Sequence, residues 1–392
     1  MITSEKIEEW LKEVEQRPES ASLIIQFVAN RLRDLAAWNE SLRAENIALI
    51  KGNRVEEYEQ RIAHLEYQLD LLKRQVSGVL PAGEGQAGNT SKPLETSSLI
   101  VYNVLGNVLR INLASGELGD GVVLGRLEGE LAPGGEPPRL SVLPSAEELL
   151  FVFTYGRVAA YPVESLSPVG PGDAWDWAGA PVPEARRSKE MLASLTPVAR
   201  LALSEFFVQV SRRGYIKKIV TSMAATILSQ HYIGTGTVLP ADKVFETLLC
   251  GKESRIVLVS YEGYLLCLDA VRLPFSVEEA MRLGATDHLV AALLVEPGKT
   301  ILAMTQIGKL VALSDQDLEV AQSLKSRGQA IFSGQRRAGG VRVIGAAAVS
   351  ETDWAVALHS DGQITLHAVG ALLGRGILPV EGELLAFTTF SV

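Results

Sequence analysis

The stretch IVLVSYEGYLLCLDA (256–270) reads as a strand, a tight turn ending in glycine, and a second strand. Apolar residues dominate both sides of the turn, and Gly263 stands where a hairpin requires a positive φ, which a side chain resists. Five further stretches repeat this pattern: LIVYNVLGNVLRINL (99–113), LLFVFTYGRVAAYPV (149–163), FFVQVSRRGYIKKIV (206–220), ILAMTQIGKLVALSD (301–315) and WAVALHSDGQITLHA (354–368). Six copies of one hairpin therefore fill the chain from residue 98 to residue 392.

The spacing of the hairpins predicts the architecture. The aligned glycines lie between 45 and 58 residues apart and are Gly106, Gly156, Gly214, Gly263, Gly308 and Gly362. One hairpin leaves a sheet face bare, and closing six into a ring buries these faces and protects most strand edges. The fold class predicted for 98–392 is mainly β, a six-bladed β-propeller, because two separate sandwiches would not produce six near-even copies. We expect the last strand, 384–392, to pair with the first blade and close the ring.

Residues 1–78 predict helices instead. Apolar residues of 4–16 recur at helical spacing, and beyond Pro18 a heptad repeat takes over. Asparagine at an a position of such a repeat costs stability but fixes register and favours a low oligomer. The pattern favours an α-helical coiled coil that makes a homo-oligomer, with a helical hairpin as the alternative. The positions expected at its interface are Leu35, Asn39, Leu42, Asn46, Leu49, Ile62, Leu65, Leu69 and Leu72. Residues 79–97, rich in Gly, Pro, Ser and Thr, predict a flexible linker.

Charge argues against a dedicated DNA-wrapping surface. The 392 residues carry a net charge of −9, with 12 basic against 16 acidic residues over 1–95 and 25 against 30 over 98–392. A tight nucleic-acid binder usually carries a basic domain or stripe, so DNA contact here would depend on local clusters. Three clusters occur: Arg186, Arg187 and Lys189; Arg212, Arg213, Lys217 and Lys218; Lys325, Arg327, Arg336, Arg337 and Arg342. They predict weak, sequence-independent phosphate binding, or else solvated faces balanced by nearby acids.

Two elements within the repeats resemble the C-terminal domain of DNA gyrase A. They are SRRGYIKK (211–218) and QRRAGGVRVI (335–344). The resemblance covers 98–392 and implies a β-pinwheel, a propeller-like ring whose blades exchange strands and whose outer rim bends DNA. It also implies duplex DNA or a topoisomerase as partner. Two departures weaken the DNA part: strong basic residues after the hairpin glycine occur only in the third repeat, and 335–344 lacks the glycine and following cation of the gyrase box. We interpret 335–344 as a connector between the fifth and sixth blades.

The insert 167–190 carries two tryptophans, Trp175 and Trp177. Tryptophan is enriched at interfaces, which predicts a partner-binding loop. Equally, the two rings would cap an apolar gap between blades.

No catalytic residue, metal site or cofactor is expected. The five histidines are scattered, and Asp287-His288 lacks a third ligand at suitable spacing. Since 1–78 holds no cleavage domain with a tyrosine nucleophile, we expect no strand passage by this chain alone. Two cysteines, Cys250 and Cys267, fit a reducing cytoplasm, and no apolar run approaches the ~20 residues of a membrane helix. We therefore expect a cytoplasmic protein without a membrane partner, and nucleoid-associated where it binds DNA.

Two classes of function remain open. The first is a non-catalytic DNA-binding or topoisomerase-associated protein, in which a coiled coil links pinwheels so that avidity offsets weak binding by each ring. The second is a protein-interaction scaffold whose DNA-binding rim is degenerate. A third hypothesis, regulation of a topoisomerase by competing for its DNA or its partner proteins, follows from the resemblance alone.

Overall fold

The computed structural model describes residues 97–391 apart from 114–117, 167, 171–173, 178–189 and 222–242, together with scattered positions between 10 and 32. The chain divides into two units, Met1–Thr90 and Ser91–Val392. In the first unit residues 10–13 are helical, as are the described positions from 21 to 32. The nine positions predicted for the coiled-coil interface lie outside the described residues. Among the described residues, no helix has the length and apolarity to cross a membrane.

Six small sheets build the second unit, and each contains one of the predicted hairpins. The hairpins are β1 (Ser97–Tyr102) with β2 (Val108–Leu113), β5 (Glu148–Phe153) with β6 (Val158–Pro162), β10 (Phe206–Ser211) with β11 (Tyr215–Val220), β13 (Arg255–Ser260) with β14 (Tyr264–Asp269), β17 (Thr300–Thr305) with β18 (Leu310–Ser314), and β21 (Trp354–His359) with β22 (Gln363–Ala368). All six aligned glycines have a positive φ, between 75° and 95°. The mainly β, six-bladed prediction is confirmed.

A return strand completes each repeat and pairs antiparallel with the first hairpin strand. The return strands are β4 (Arg139–Pro144), β9 (Leu192–Pro197), β12 (Val244–Cys250), β16 (Leu289–Val295), β20 (Val343–Val349) and β23 (Leu384–Phe390). Neighbouring return strands contact one another in the order β9, β12, β16, β20, β23, β4, so they form the inner wall of the ring.

Short strands pass from one repeat into another blade. β15 (Glu278–Glu279) pairs with β11, and β19 (Gln329–Ala330) pairs with β14. β7 (Pro168–Val169) lies parallel to β2, and β8 (Ala174–Trp175) lies parallel to β3 (Val122–Leu127). Each of β7, β15 and β19 comes from the repeat that follows the blade it joins. This exchange is the pinwheel arrangement that the resemblance implies.

The ring closes through β3, and the expectation for the last strand is wrong. β3 belongs to the first repeat and pairs with β22 of the sixth, from Gln363↔Arg126 to Leu366↔Val122. β23 stays in its own blade as the partner of β21. The physical reason is the order within each repeat. β7, β15 and β19 each join the preceding blade, and since the first repeat has no blade before it in sequence, its strand β3 joins the sixth.

The exchanged segments cross directly over hairpin glycines. A Cβ at Gly214, Gly308 or Gly362 would overlap a backbone carbonyl of the crossing segment, and a Cβ at Gly263 would overlap the Phe332 ring. The carbonyls of these four glycines accept hydrogen bonds of 2.8–3.1 Å from the crossing backbone. Glycine is therefore required at each of these turns for two reasons: the backbone has a positive φ, and the crossing segment leaves no room for a side chain.

The helices among the described residues of this unit are short. They are α1 (Ala199–Leu203), α2 (Gly334–Ala338) and α3 (Val369–Arg375). Single 3-10 turns, Val163–Ser165, Ala270–Arg272 and Asp315–Asp317, follow the second hairpin strand of three repeats. Apolar side chains pack between adjacent sheets, with Phe151, Phe153 and Phe207 fully buried.

Candidate nucleic-acid interface

The two arginines in the hairpin turn of the third blade contact other parts of this chain. Arg212 forms an ion pair with Glu136 and lies 4.8 Å from the centroid of the Phe245 ring. Arg213 donates to the carbonyls of Asp287 and Gly284. Both guanidiniums thus bind groups of this chain, and Arg212 lines the central cavity of the ring.

Lys218 is 4 % exposed and is a structural cation. Its Nζ donates to the carbonyls of Ala270 and Val271, at 3.2 and 2.8 Å, in the 3-10 turn of the next repeat. It also lies 4.6 Å from the Phe206 ring, and burial lowers the pKa of its ammonium. Lys217, on the other face of β11, is only half-buried. The sequence predicts Lys218 as a DNA contact, but its ammonium is buried and bound to carbonyls of this chain.

Arg110 occupies the same place in the first blade. Like Lys218, it stands four residues after the hairpin glycine, and it is 8 % exposed. Its Nη1 donates to the carbonyl of Val163 at 3.1 Å, again in the 3-10 turn of the next repeat. Two blades therefore use a buried cation to hold the neighbouring repeat.

The third cluster lies on the surface, and the fold adds a residue to it. The Lys325 N–H donates to the carbonyl of Ala280, and the Arg282 N–H donates to the carbonyl of Ser326, both at 2.9 Å. Arg282 is exposed and therefore stands beside Lys325 and Arg327, although it is more than 40 residues away in sequence. The other two cations of this group, Arg336 and Arg337, lie on the short helix α2. We call the resulting group the arginine surface: Arg282, Lys325, Arg327, Arg336 and Arg337.

Tyr264 lies under two of these arginines. The guanidinium carbons of Arg327 and Arg337 lie 4.2 and 4.8 Å from its ring centroid. Nη1 of Arg337 also donates to the carbonyl of Phe332 at 2.5 Å. Arginine and tyrosine at these distances attract each other, so both guanidiniums are held at defined positions.

The arginine surface holds cations that lack an acidic partner. Within the described part of the chain, Arg282, Lys325 and Arg336 form no ion pair, whereas Arg327 lies 3.7 Å from Glu262. Exposed Arg126, Arg200 and Lys243 likewise form no ion pair among the described residues, whereas five other cations of the ring are paired with acids. Their pairs are Arg157–Glu190, Lys252–Glu205, Arg272–Asp269, Lys299–Glu296 and Arg375–Asp120. The fourth and fifth repeats thus supply three unpaired cations, Arg282, Lys325 and Arg336, although unpaired cations also occur elsewhere on the ring.

Arg342 is not counted in this surface, because its guanidinium is bound to carbonyls of this chain. Its Nη1 donates to the carbonyls of Arg337 and Val341, at 2.7 and 2.9 Å. The element 335–344 runs from α2 into β20, so it connects two strands of the fifth repeat and not the fifth blade to the sixth. The cluster at 186–189 lies outside the described residues.

The two tryptophans seal the seam between the first and sixth blades. Trp175 is buried against Gly125, where a Cβ would overlap its ring, and its Nε1 donates to the carbonyl of Gly170 at 2.9 Å. Trp177 is half-buried, and its Nε1 donates to the carbonyl of Glu130 at 3.1 Å. This geometry favours the capping interpretation over a partner-binding loop.

The central cavity has a volume of about 810 Å3. One wall carries the ion pairs Arg139–Glu246 and Arg212–Glu136, and the other is lined by small apolar residues such as Ala291 and Ala346. Burial raises the pKa of the Glu246 carboxyl, and Arg139 opposes this shift. Among the described residues, no three His, Cys, Asp or Glu side chains come together as a metal site.

Solved structures share this fold. No family model matches the sequence, and no curated protein sequence is similar to it. A DNA gyrase A C-terminal domain matches with a TM-score of 0.54 and 14% identity, over 75% of this chain and 99% of that chain. A DNA topoisomerase IV C-terminal domain matches with a TM-score of 0.46 and 18% identity, over 75% and 93%. The C-terminal domain of E. coli ParC matches with a TM-score of 0.33 and 13% identity, over 76% and 99%. The second unit thus has the six-bladed pinwheel fold of the gyrase A C-terminal domain.

Proposed function

We propose that this protein is a non-catalytic DNA-binding protein whose arginine surface contacts the phosphates of duplex DNA without reading sequence. The carrying observation is the set of exposed cations without a carboxylate, Arg282, Lys325 and Arg336, next to two arginines held over Tyr264. Cations at suitable spacing are sufficient for phosphate contact, and such contact carries no sequence information.

The number of available cations limits the affinity. Five cations release at most about five counterions, so log affinity against log salt should have a slope no steeper than about −4.5. Because five other cations of the ring are paired with acids, the duplex would touch one arc of the rim and would not wrap around it. Binding by one ring is therefore weak and salt-sensitive.

The helical segment would offset this weakness. A coiled coil over 1–78, assembled through the leucine and asparagine heptad that includes Leu35, Asn39 and Leu42, would join two or more rings. Linked rings bind one duplex with an avidity well above that of either ring. Association with a topoisomerase is compatible with the same surface, since both proteins would meet on DNA.

A matched pair of triple variants tests the proposal. One variant is R282Q/K325Q/R336Q, and its control is R157Q/R272Q/R375Q, which removes the same charge from cations that are already paired. Fluorescence anisotropy with a short duplex follows binding from about 50 mM to about 200 mM salt. We expect the first variant to flatten the salt slope by about three and the control to leave it nearly unchanged. Equal loss in both variants, or loss in neither, contradicts the proposal.

The central cavity favours the second candidate function, a protein-interaction scaffold. Its volume of about 810 Å3 lies in the range of about 300–1,000 Å3 typical of ligand sites. A peptide of a partner protein inserted there would contact Arg212 and Glu136. Charge reversal at Arg212 should then abolish capture of that partner and leave duplex binding intact, whereas a partner that binds both forms equally contradicts the scaffold hypothesis.

A further inference from the structure

We propose that Tyr264 is a positioning residue whose ring holds the side chains of Arg327 and Arg337 in place before a phosphate binds. Because the two arginines cover the ring, bases cannot stack on it. This inference rests on the proposed function. It makes the ligand of the arginine surface the sugar-phosphate backbone of a duplex, and it predicts no preference for unpaired bases.

The arrangement joins two repeats. Tyr264 directly follows the hairpin glycine of the fourth repeat and pairs with Ala330 of β19. Arg327 lies shortly before β19, and Arg337 lies on α2, so both arginines come from the fifth repeat. The exchange of β19 into the fourth blade is therefore what brings them to Tyr264, at 4.2 and 4.8 Å from its ring centroid.

Ordering the side chains in advance increases affinity. A long arginine side chain loses rotamer freedom when it binds a phosphate, and this loss opposes binding. The Tyr264 ring and, for Arg337, the carbonyl of Phe332 fix the guanidiniums before DNA arrives. Removing the ring would weaken binding although no charge of the protein changes.

The same contacts exclude base stacking. Proteins that bind single strands without sequence preference stack successive bases on open aromatic faces. Two guanidiniums already engage the π surface of Tyr264, so a base finds no open platform there. A duplex, with its higher density of phosphates, is the better ligand.

The third blade supplies a matched control. Tyr215 follows Gly214 as Tyr264 follows Gly263, and it too is half-buried. Among the described residues, no arginine or lysine lies over the Tyr215 ring, in contrast to Tyr264. Y215A therefore reports the general effect of removing a hairpin tyrosine.

The experiment compares the full-length wild type, Y264A, Y264F and Y215A by anisotropy with a duplex and with one of its strands. We expect Y264A to lose about 5- to 30-fold in duplex affinity, because two long arginine side chains then lose their rotamer freedom only when the phosphate binds. Y264F, which keeps the ring, and Y215A should stay close to wild type. Wild-type affinity in Y264A, equal loss in Y264A and Y215A, or a wild-type preference for the single strand overturns the inference.

A second measurement separates this inference from the proposed function. If the wild type binds no duplex at low salt, the proposed function fails, and phenylglyoxal labelling followed by peptide mass spectrometry decides the role of Tyr264. Arg327 and Arg337 should react faster in Y264A than in wild type, with Arg336 as the internal reference. Equal rates in the two proteins overturn the positioning role.

Discussion

The carboxylate of Glu262 competes with DNA for Arg327. It lies 3.7 Å from the guanidinium and accepts a hydrogen bond of 2.9 Å from Thr286 Oγ1. The substitution E262Q keeps the shape of the side chain and an oxygen for Thr286 but removes the charge. We expect E262Q to bind duplex DNA more tightly than the wild type, because a phosphate no longer has to displace a carboxylate.

The exposure of the pair sets the magnitude. At 3.7 Å the Coulomb energy is about 1 kcal/mol in bulk water and about 4–5 kcal/mol at the effective dielectric of a protein surface. The Arg327 side chain is 52% exposed, so solvent screens it strongly. Measured exposed pairs contribute about 0.2–1 kcal/mol, and the upper value corresponds to an affinity gain of about fivefold.

An anisotropy titration with a short duplex measures this gain, and E296Q is the control. Glu296 also pairs with a cation, Lys299 at 2.8 Å, but outside the arginine surface. The advantage of E262Q should be largest at low salt and shrink as the Debye length shortens. Unchanged affinity in E262Q, or an equal gain in E296Q, refutes the placement of the DNA site.

Three further predictions concern the ring itself. In G298A the only strain is the positive φ, at a cost of about 1–2 kcal/mol. In G263A the Cβ also overlaps the Phe332 ring, so chemical denaturation should show a clearly larger loss of unfolding free energy for G263A than for G298A. K218M should lower the free energy of unfolding by about 1–3 kcal/mol, since two carbonyls lose their donor, and leave duplex affinity unchanged; weaker binding by a fully folded variant would contradict this. Burial lowers the pKa of His359 and of His367, so the unfolded chain takes up protons first and the free energy of unfolding should fall as the pH drops below 6.5. In melting experiments over this pH range, H359Q/H367Q should lose stability less steeply than the wild type. An equally steep loss would mean that other groups cause the pH dependence.

The hairpins were predictable because their signals are local. Alternation of apolar residues and a glycine with positive φ, as at Gly263, need only neighbouring residues to take effect. The exchanged strands β15 and β19 are two residues long, and two residues carry no periodicity. Their pairing depends on which edge the ring places beside them, so the exchange and the closure through β3 lay beyond reasoning from periodicity.

The site was predictable only in part. Lys325, Arg327, Arg336 and Arg337 form one cluster in sequence and one surface in the fold. Arg282 was missed because only the backbone pairing of Met281 with Ser326 brings it there.

Strand parity separates two cations that the sequence places together. Lys217 and Lys218 are adjacent in β11, so they point to opposite faces of the sheet and cannot both face a phosphate. The parity was readable from the sequence: Lys218 shares its face with Ile216, which is buried.

The residue four positions after the hairpin glycine indicates where on the ring DNA can bind. Arg110 and Lys218 occupy it in the first and third blades, and both donate to carbonyls of a 3-10 turn in the next repeat. In the fourth blade the same position holds the buried Cys267. A cation here is oriented into the gap between blades and adds a donor to carbonyls of the next repeat's turn. A basic residue at this position of the hairpin therefore supports blade packing, and the cations proposed to meet phosphate flank the exchanged strands, where Arg282, Lys325 and Arg327 lie.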